Sequence, residues 1–365
     1  MIYIHIPFCR SFCTYCGFYS EVAGEEMFRP YADAVCEEAE ARADEIRDTV
    51  GTNTLYIGGG TPSVLPLSVL SRIVGAVRAF GPFSEFTVEV NPEDIVEKGP
   101  EYVSGLMELG VSRISMGVQS FDDCVLRWMN RRHDSARAAE AVRIIRSAGM
   151  DNLSIDLIFG TPSLQGQSED SADEVWKNTI RQALDLHPEH VSAYQLSVEE
   201  GSALESMIRK GRLSEAPEEL CRRQYEFLCR ELSSAGFRHY EVSNFAIPGH
   251  EARHNSAYWR RVPYVGLGAG AHSLRGTDVR SWNSDTIPSY EPSSEKLSDE
   301  DIRVEKIMLG LRTDVGADAA FLQESAAPGS VSRLLDEGAL ERVGDRLRIR
   351  EDKMFVSDEI IRELL

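Results

Sequence analysis

The chain has 365 residues, 42% of them hydrophobic and 27% charged, and a net charge of −20. The length predicts two or three domains of an ordinary globular protein, and the acidity argues against general nucleic-acid binding, which needs a basic surface. No targeting segment and no stretch of membrane-spanning length is visible. The seven cysteines favour a reducing, cytoplasmic setting over a disulfide framework.

Short apolar runs alternate with longer helical patterns through the first half of the chain. The predicted strands are Ile2–Ile6, Thr54–Ile57, Phe86–Val90, Arg113–Gly117, Leu153–Ile158 and Val191–Gln195. The predicted helices between them are Phe28–Asp48, Leu67–Phe80, Glu101–Leu109, Ser135–Ala148 and Asp173–Leu186. Strands joined by helical crossovers predict a parallel α/β sheet, and successive units of one hand predict a partial (β/α)6 TIM-type barrel. In such a barrel the chemistry is expected at the carboxyl ends of the strands.

Three cysteines, Cys9, Cys13 and Cys16, follow the first predicted strand with the spacing C-x3-C-x2-C. Thiolates at this spacing can converge on a soft metal within one loop. Zinc is one alternative, with His5 as the fourth ligand. A [4Fe-4S] cluster is the other, and three cysteines would leave one of its irons open. The amine and carboxylate of an amino acid can chelate that iron, and S-adenosylmethionine (SAM) is the obvious candidate. The other cysteines lack ligand spacing and are expected to be packing residues: Cys36, Cys124, Cys221 and Cys229.

Glycine-rich and polar segments lie at the ends of the other predicted strands. The second strand runs into the segment YIGGGTPS, and the fourth leads to GVQSF. Glu89 and Asp156 lie on the third and fifth strands. A glycine turn lets the backbone approach a ligand closely, and carboxylates can accept from its hydroxyl or ammonium groups. Each polar residue alone could instead be ion-paired within the barrel, but their common position favours ligand binding.

The second half of the chain has a less regular pattern. A helix is predicted near Glu218–Ala235, and a linker at Thr277–Leu297, which is rich in Ser, Pro, Asn and Asp. We expect residues 1–285 to form the barrel with an extension at about 196–285, and residues 296–365 a small α+β domain. Helices at about Arg303–Leu311 and Val331–Glu337, then a hairpin turning at Gly344 and Asp345, predict a winged-helix-like arrangement.

These motifs together resemble a known family. The C-x3-C-x2-C loop after the first strand is similar to that of radical-SAM proteins, and the segments YIGGGTPS, VEVNPE, SMGVQSF, MNRRH and IDLIFGTP resemble its coproporphyrinogen-dehydrogenase-like branch. The resemblance covers most of the chain, including a HemN-like C-terminal domain. It implies a [4Fe-4S] cluster on Cys9, Cys13 and Cys16, with SAM on the open iron. The residues that it implies near SAM are Tyr3 beside the cluster, Gly59, Gly60 and Thr61 at the methionine, and Glu89, Gln119, Arg131 and Asp156 at the methionine, ribose or adenosine.

Two functions compete within this branch. One is oxygen-independent coproporphyrinogen III dehydrogenase, a radical enzyme of porphyrin biosynthesis, and the other is a heme chaperone of the HemW type. The dehydrogenase type resembles C-x3-C-x2-C-x-C, whereas this chain has Phe18 at the last position and lacks the dehydrogenase's N-terminal extension. The segment HNSAYW, beginning at His254, matches a motif of the chaperone type.

The chaperone resemblance implies that His254 ligates heme, that Tyr258 and Trp259 lie against the porphyrin, and that Arg260 and Arg261 meet its propionates. Alternatively, His254 caps a loop and Trp259 belongs to the core. The implied partners are heme and hemoprotein acceptors such as respiratory enzymes, with homodimers and at most peripheral membrane contact. A radical-SAM enzyme that opens or methylates the heme ring is a third, weaker alternative.

Overall fold

A computed structural model describes residues 1–49, 51–162 and 168–365 of the chain. The strands are β1 Ile2–Ile6, β2 Thr54–Gly59, β3 Glu85–Val90, β4 Arg113–Gln119, β5 Leu153–Phe159, β6 His190–Gln195, β7 Arg238–Glu241, β8 Asn244–Ala246, β9 Val265–Leu267, β10 His272–Arg275, β11 Val279–Asn283, β12 Pro292–Lys296, β13 Ala317–Asp318, β14 Leu340–Val343 and β15 Arg346–Ile349. The helices are α1 Phe28–Ala41, α2 Ala43–Asp48, α3 Leu67–Val77, α4 Pro92–Glu108, α5 Asp123–Trp128, α6 Ser135–Ser147, α7 Glu169–Asp185, α8 Ala203–Arg209, α9 Glu218–Ser234, α10 Arg253–Trp259, α11 Asp299–Leu311, α12 Ala319–Ser325, α13 Ser330–Asp336 and α14 Ser357–Leu364.

The main sheet contains the predicted partial barrel. Its strand order is β7-β8-β6-β5-β4-β3-β2-β1-β9. Strands β1 to β6 pair in parallel in chain order, β9 adds in parallel beside β1, and β8 and β7 extend the other edge antiparallel. The prediction of six βα units is therefore confirmed. The edge strands β7, β8 and β9 come from the second half of the chain, where the irregular hydrophobic pattern did not predict them.

Alternation along each strand gives the barrel an apolar outside and a polar inside. On β1, Ile2, Ile4 and Ile6 are almost completely buried among the core residues. The residues between them, Tyr3 and His5, point the other way, because successive side chains of a strand alternate between its faces. Other strands place carboxylates, serines and histidines on this inner side, so the core lies between sheet and helices while the barrel interior stays polar.

Helix α10 closes the amino end of the barrel. The backbone N–H groups of Arg253 and His254 each donate to the carboxylate of Glu85, at 2.9 Å. The His254 Nδ1 lies 2.8 Å from the hydroxyl of Thr54, the first residue of β2. A carboxylate at a helix start is favourable because it satisfies N–H groups that the helix leaves unpaired. We call α10 the floor helix, because it lies opposite the cysteine loop.

The C-terminal region has the predicted α+β character. Strands β13, β15 and β14 form a small sheet with α11 to α14, and the hairpin turns at Gly344 and Asp345 as predicted. The linker prediction at Thr277–Leu297 was wrong, because β11 and β12 within it pair antiparallel with β10 in a separate sheet. Strand β12 is exposed along its length, so it is held by backbone hydrogen bonds and shows no apolar alternation. No helix in the described part of the chain is both long and apolar enough to cross a membrane.

Candidate cofactor-binding site

A cavity of about 560 Å³ opens among the carboxyl ends of the barrel strands. It extends inward as far as Ala252 and Asn255 at the floor helix. Most of the residues that the sequence singled out line this cavity: Cys9, Cys13, Cys16, Gly59, Gly60, Thr61, Glu89, Gln119, Arg131 and Asp156. The expectation that the unusual residues meet at this end of the strands is therefore confirmed.

The cysteine loop packs directly on the glycine turn after β2. The Gly60 N–H donates to the carbonyl oxygen of Ile6 at 2.8 Å, and a Cβ on Gly60 would lie 2.9 Å from the Phe8 carbonyl oxygen. Only glycine allows this approach, because those atoms belong to the backbone and cannot turn aside. The Cys9 Sγ lies 3.3 Å from the Thr61 hydroxyl. The loop and the turn thus form one wall of the cavity.

Arg131 joins the cysteine loop to β4. Its guanidinium donates to the Cys13 Sγ at 3.4 Å and to the Gly117 carbonyl oxygen at 2.5 Å. A Cβ on Gly117 would lie 3.3 Å from the Arg131 Nη2 and 2.9 Å from the Gln119 Nε2, so glycine keeps this space open. Gln119 follows a bulge and has a φ of 70°, which turns its amide into the cavity. The buried Arg131 Nε has no hydrogen-bond partner among the residues that the structure describes. This cation can pair with an anionic ligand or with thiolates.

Glu89 lies inside the barrel beside the glycine turn. Its carboxylate accepts from the Tyr56 hydroxyl at 2.7 Å and from the Gly59 N–H at 3.0 Å. Burial, which disfavours the charged form, together with the nearby Asp156 raises the pKa of Glu89 from 4.5 to about 7, against the opposite effect of those two hydrogen bonds. A cationic ligand group beside Glu89 would favour its ionised form.

Asp156 occupies the middle of the barrel wall. The Ser115 hydroxyl lies 3.0 and 3.1 Å from the two Asp156 oxygens, and the Ser154 hydroxyl lies 3.2 Å from one of them. Burial raises the pKa of Asp156, while hydroxyl groups, including that of Ser192, act in the opposite direction. The serines fix the orientation of the carboxylate, so it can accept from ligand hydroxyls without rearrangement.

The three cysteines fit a cluster better than a single metal ion. Within the described residues, no group of three or more His, Cys, Asp or Glu converges on one ion position. The alternative zinc set is not assembled, because His5 Nδ1 lies 3.0 Å from the Tyr3 hydroxyl and its Nε2 lies 3.0 Å from the Tyr19 carbonyl oxygen. Thiolates around one wall of a cavity suit an iron–sulfur cluster, since each binds a different iron. Burial raises the pKa of the Cys16 thiol to about 11, so its ionisation would need the positive charge of bound iron.

Two predicted site residues do not line the cavity. Tyr3 lies under the glycine turn, with its ring centroid 6.1 Å from that of Tyr56. His254 is only 1% exposed, and besides its contact with Thr54 its Nε2 lies 3.1 Å from the Tyr258 hydroxyl. Burial lowers the pKa of His254 to about 3. Its role as a heme ligand stays a prediction, since both ring nitrogens are occupied in this conformation.

The structure also adds cavity residues that the sequence did not indicate. Ser115, Ser192, Tyr194 and Asn255 line the cavity together with the predicted set. The inward orientation of the two serines follows from the alternation of side chains along β4 and β6. Asn255 belongs to the HNSAYW segment, but its place in the cavity could not be predicted, because it depends on the floor helix meeting β2 from about 200 residues away.

Comparisons with known proteins agree on the family and the fold. Residues 3–175 match the model of the Radical SAM superfamily. A heme chaperone HemW of Mycobacterium tuberculosis is 33% identical and the alignment covers 100% of this chain and 94% of that protein. The heme chaperones HemW of Synechocystis sp. and Bacillus subtilis are each 34% identical; the alignments cover 88% and 86% of this chain and 79% and 83% of those proteins. Coproporphyrinogen III oxidase (HemN) from Escherichia coli, a radical SAM enzyme, shares the fold with a TM-score of 0.76 at 21% identity, over 100% of this chain and 89% of that one.

Proposed function

We propose that the chain is a heme chaperone, because it belongs to the coproporphyrinogen-dehydrogenase-like family of radical SAM proteins and is 33% and 34% identical to two of its HemW heme chaperones. In this proposal it binds heme, a [4Fe-4S] cluster and SAM, and delivers heme to hemoproteins in the cytoplasm. The observation that carries the cofactor part is the common cavity of the three cysteines and the polar set around Glu89 and Arg131.

The cluster and SAM would bind to residues on two different walls of the cavity. Cys9, Cys13 and Cys16 would hold the cluster, which supplies an electron and one open iron for an amino acid. Glu89 and the glycine turn would accept from the N–H groups of the SAM amine, whose nitrogen and carboxylate would chelate the open iron. Asp156 would accept from the ribose hydroxyls, since its serine partners already fix its orientation. The chain's own groups thus bind and orient SAM.

The heme ligand is a separate part of the proposal. The motif favours His254, and a neutral imidazole is a common ligand of heme iron. In the closed floor helix this ring is held by Thr54 and Tyr258, so heme ligation by His254 requires the helix to open. A His254→Ala variant titrated with heme tests this part. An unchanged heme affinity and Soret band would contradict it.

An anaerobic absorption spectrum tests the function as a whole. We expect the purified, reconstituted protein to show the broad absorption of an iron–sulfur cluster, and added heme to produce a Soret band shifted from that of free heme. Cys13→Ala should lose the cluster absorption, whereas Cys36→Ala should keep it, because Cys36 lies outside the cavity. Transfer of the bound heme to an apo-hemoprotein completes the test.

The dehydrogenase alternative gives a different result. Cluster-loaded protein incubated anaerobically with reductant, SAM and coproporphyrinogen III would yield protoporphyrinogen if it decarboxylates propionates. Such turnover, without stable heme binding, would overturn the chaperone proposal.

A further inference from the structure

The mouth of the cavity carries an unusual concentration of exposed aromatic side chains. In the described part of the chain, the large hydrophobic residues exposed to solvent include three aromatic ones: Phe12 at 53%, Phe18 at 75% and Tyr194 at 43%. All three line the cavity; Phe12 and Phe18 belong to the exposed cysteine loop at its mouth, whereas the Tyr194 hydroxyl lies deeper, beside Ser192 and Asp156. The other exposed large residues are aliphatic and lie outside it: Val22, Val315, Val343 and Leu365. Scattered exposed residues are ordinary, but an aromatic group around one opening indicates a binding surface.

The backbone of the cysteine loop is fixed while these rings remain outside. The Asn130 side-chain amide donates to the Phe12 carbonyl oxygen at 2.7 Å. The Thr14 N–H donates to the Met129 carbonyl oxygen at 3.2 Å, and the Leu204 N–H donates to the Thr14 carbonyl oxygen at 2.8 Å. Two neighbouring segments therefore hold the loop. Because the loop does not need its aromatic rings for this anchoring, their exposure is available for a ligand.

The chemistry of the mouth fits a flat apolar ligand with an anionic edge. Aromatic rings bind planar rings well by stacking or edge contacts. Arg10 also lines the cavity, with its side chain 46% exposed. Its partner Glu25 is 71% exposed at 3.3 Å, and exposed pairs of this kind are weak, so Arg10 can exchange Glu25 for a ligand carboxylate.

We propose that heme binds across the mouth of the cavity, with one porphyrin face on Phe12 and Phe18 and a propionate at Arg10. This inference rests on the proposed function and gives it a location. It differs from ligation by His254, which lies at the opposite, closed end of the barrel. Since Phe12 and Phe18 belong to the same loop as Cys13 and Cys16, heme would lie over the cluster and SAM.

Heme titration of matched variants tests this location. Cluster-loaded wild-type protein is compared with the double variant Phe12→Ser/Phe18→Ser and with the control Val315→Ser/Val343→Ser, which removes two other exposed apolar residues, 52% and 50% exposed, from the C-terminal region. We expect the first variant to bind heme about tenfold more weakly or worse, and the control to bind like the wild type. Iron content and the cluster spectrum are measured on each sample.

A second pair of variants covers the case in which the double variant loses its cluster. Phe18→Trp keeps an aromatic ring at the mouth, and Val343→Trp places the same reporter far from it. Heme should quench the added fluorescence at position 18 much more strongly than at position 343. Equal quenching, or an unchanged heme affinity of the double variant, overturns the mouth location. Absence of heme binding by the wild type instead overturns the proposed function.

Discussion

The buried carboxyl of Glu89 makes a quantitative prediction about pH. Its pKa is raised by burial from 4.5 to about 7, so between these values the folded protein binds more protons than the unfolded chain. Stability therefore falls as pH rises through this window. From about pH 5 to about pH 8 the loss due to Glu89 is about 2 kcal/mol of the free energy of unfolding, since one pKa unit corresponds to about 1.4 kcal/mol. Glu89→Gln removes this contribution.

Urea unfolding at both pH values measures the effect. The difference between the two free energies should be smaller in Glu89→Gln than in the wild type by about 2 kcal/mol. The variant keeps an acceptor for Tyr56 but presents an amide N–H to the Gly59 N–H, so its stability near pH 5 should be lower by about 1–3 kcal/mol. An unchanged pH dependence would refute the assignment of a raised pKa to Glu89.

Glu241 provides the matched control. It is 1% exposed, burial raises its pKa to about 7 as well, and it does not line the cavity. Glu241→Gln should reduce the pH dependence of stability in the same direction while leaving SAM binding unchanged. SAM binding by the wild type should strengthen as pH rises from about 6 to about 8, because the N–H groups of the SAM amine donate more strongly to ionised Glu89, and Glu89→Gln should lose this dependence. Equal SAM affinities of wild type and Glu89→Gln at every pH would place the amine elsewhere.

Two further variants test the cavity wall and the floor. Gly117→Ala places a methyl group against Gln119 and Arg131, so SAM should bind about tenfold more weakly by calorimetry, whereas an unaltered affinity would show that the wall adjusts. His254→Ala leaves a small cavity and an unpaired Thr54 hydroxyl, so the free energy of unfolding should fall by about 2–4 kcal/mol in urea titrations. A loss below about 0.5 kcal/mol would show that the imidazole does not hold the floor helix.

The barrel strands could be predicted because each one is indicated by a short continuous stretch of sequence. Apolar β-branched runs followed by turns gave β1 to β6 to within a few residues, and parallel order then brought Cys9, Glu89 and Asp156 to one cavity. Helix α4 was only half recognised. It begins at Pro92 with Asn91 as its N-cap, and non-helical Gly99, with φ 71° and ψ −174°, divides it at a kink before Pro100, so that the predicted Glu101–Leu109 corresponds to its second part.

The floor of the barrel could not be predicted because its contacts are distant in sequence. Glu85 accepts from the start of α10, about 170 residues away, and nothing near either segment indicates this pairing. The same contacts turn His254 away from the cavity and leave Asn255 facing it. The HNSAYW motif indicated that this segment has a function. Which of its side chains reaches the cavity depends on how the floor helix packs on the barrel.

Gly60 has a consequence for how this chain can change. Its missing side chain lets the cysteine loop and the glycine turn share one wall, with backbone atoms at 2.9 Å from where a methyl group would stand. In a scan of all substitutions, position 60 should tolerate none of them, and it should resemble a catalytic position although it performs no chemistry. Substitutions in the cysteine loop and in the glycine turn should therefore depend on each other. A substitution that shifts the loop is tolerated only if the turn shifts with it.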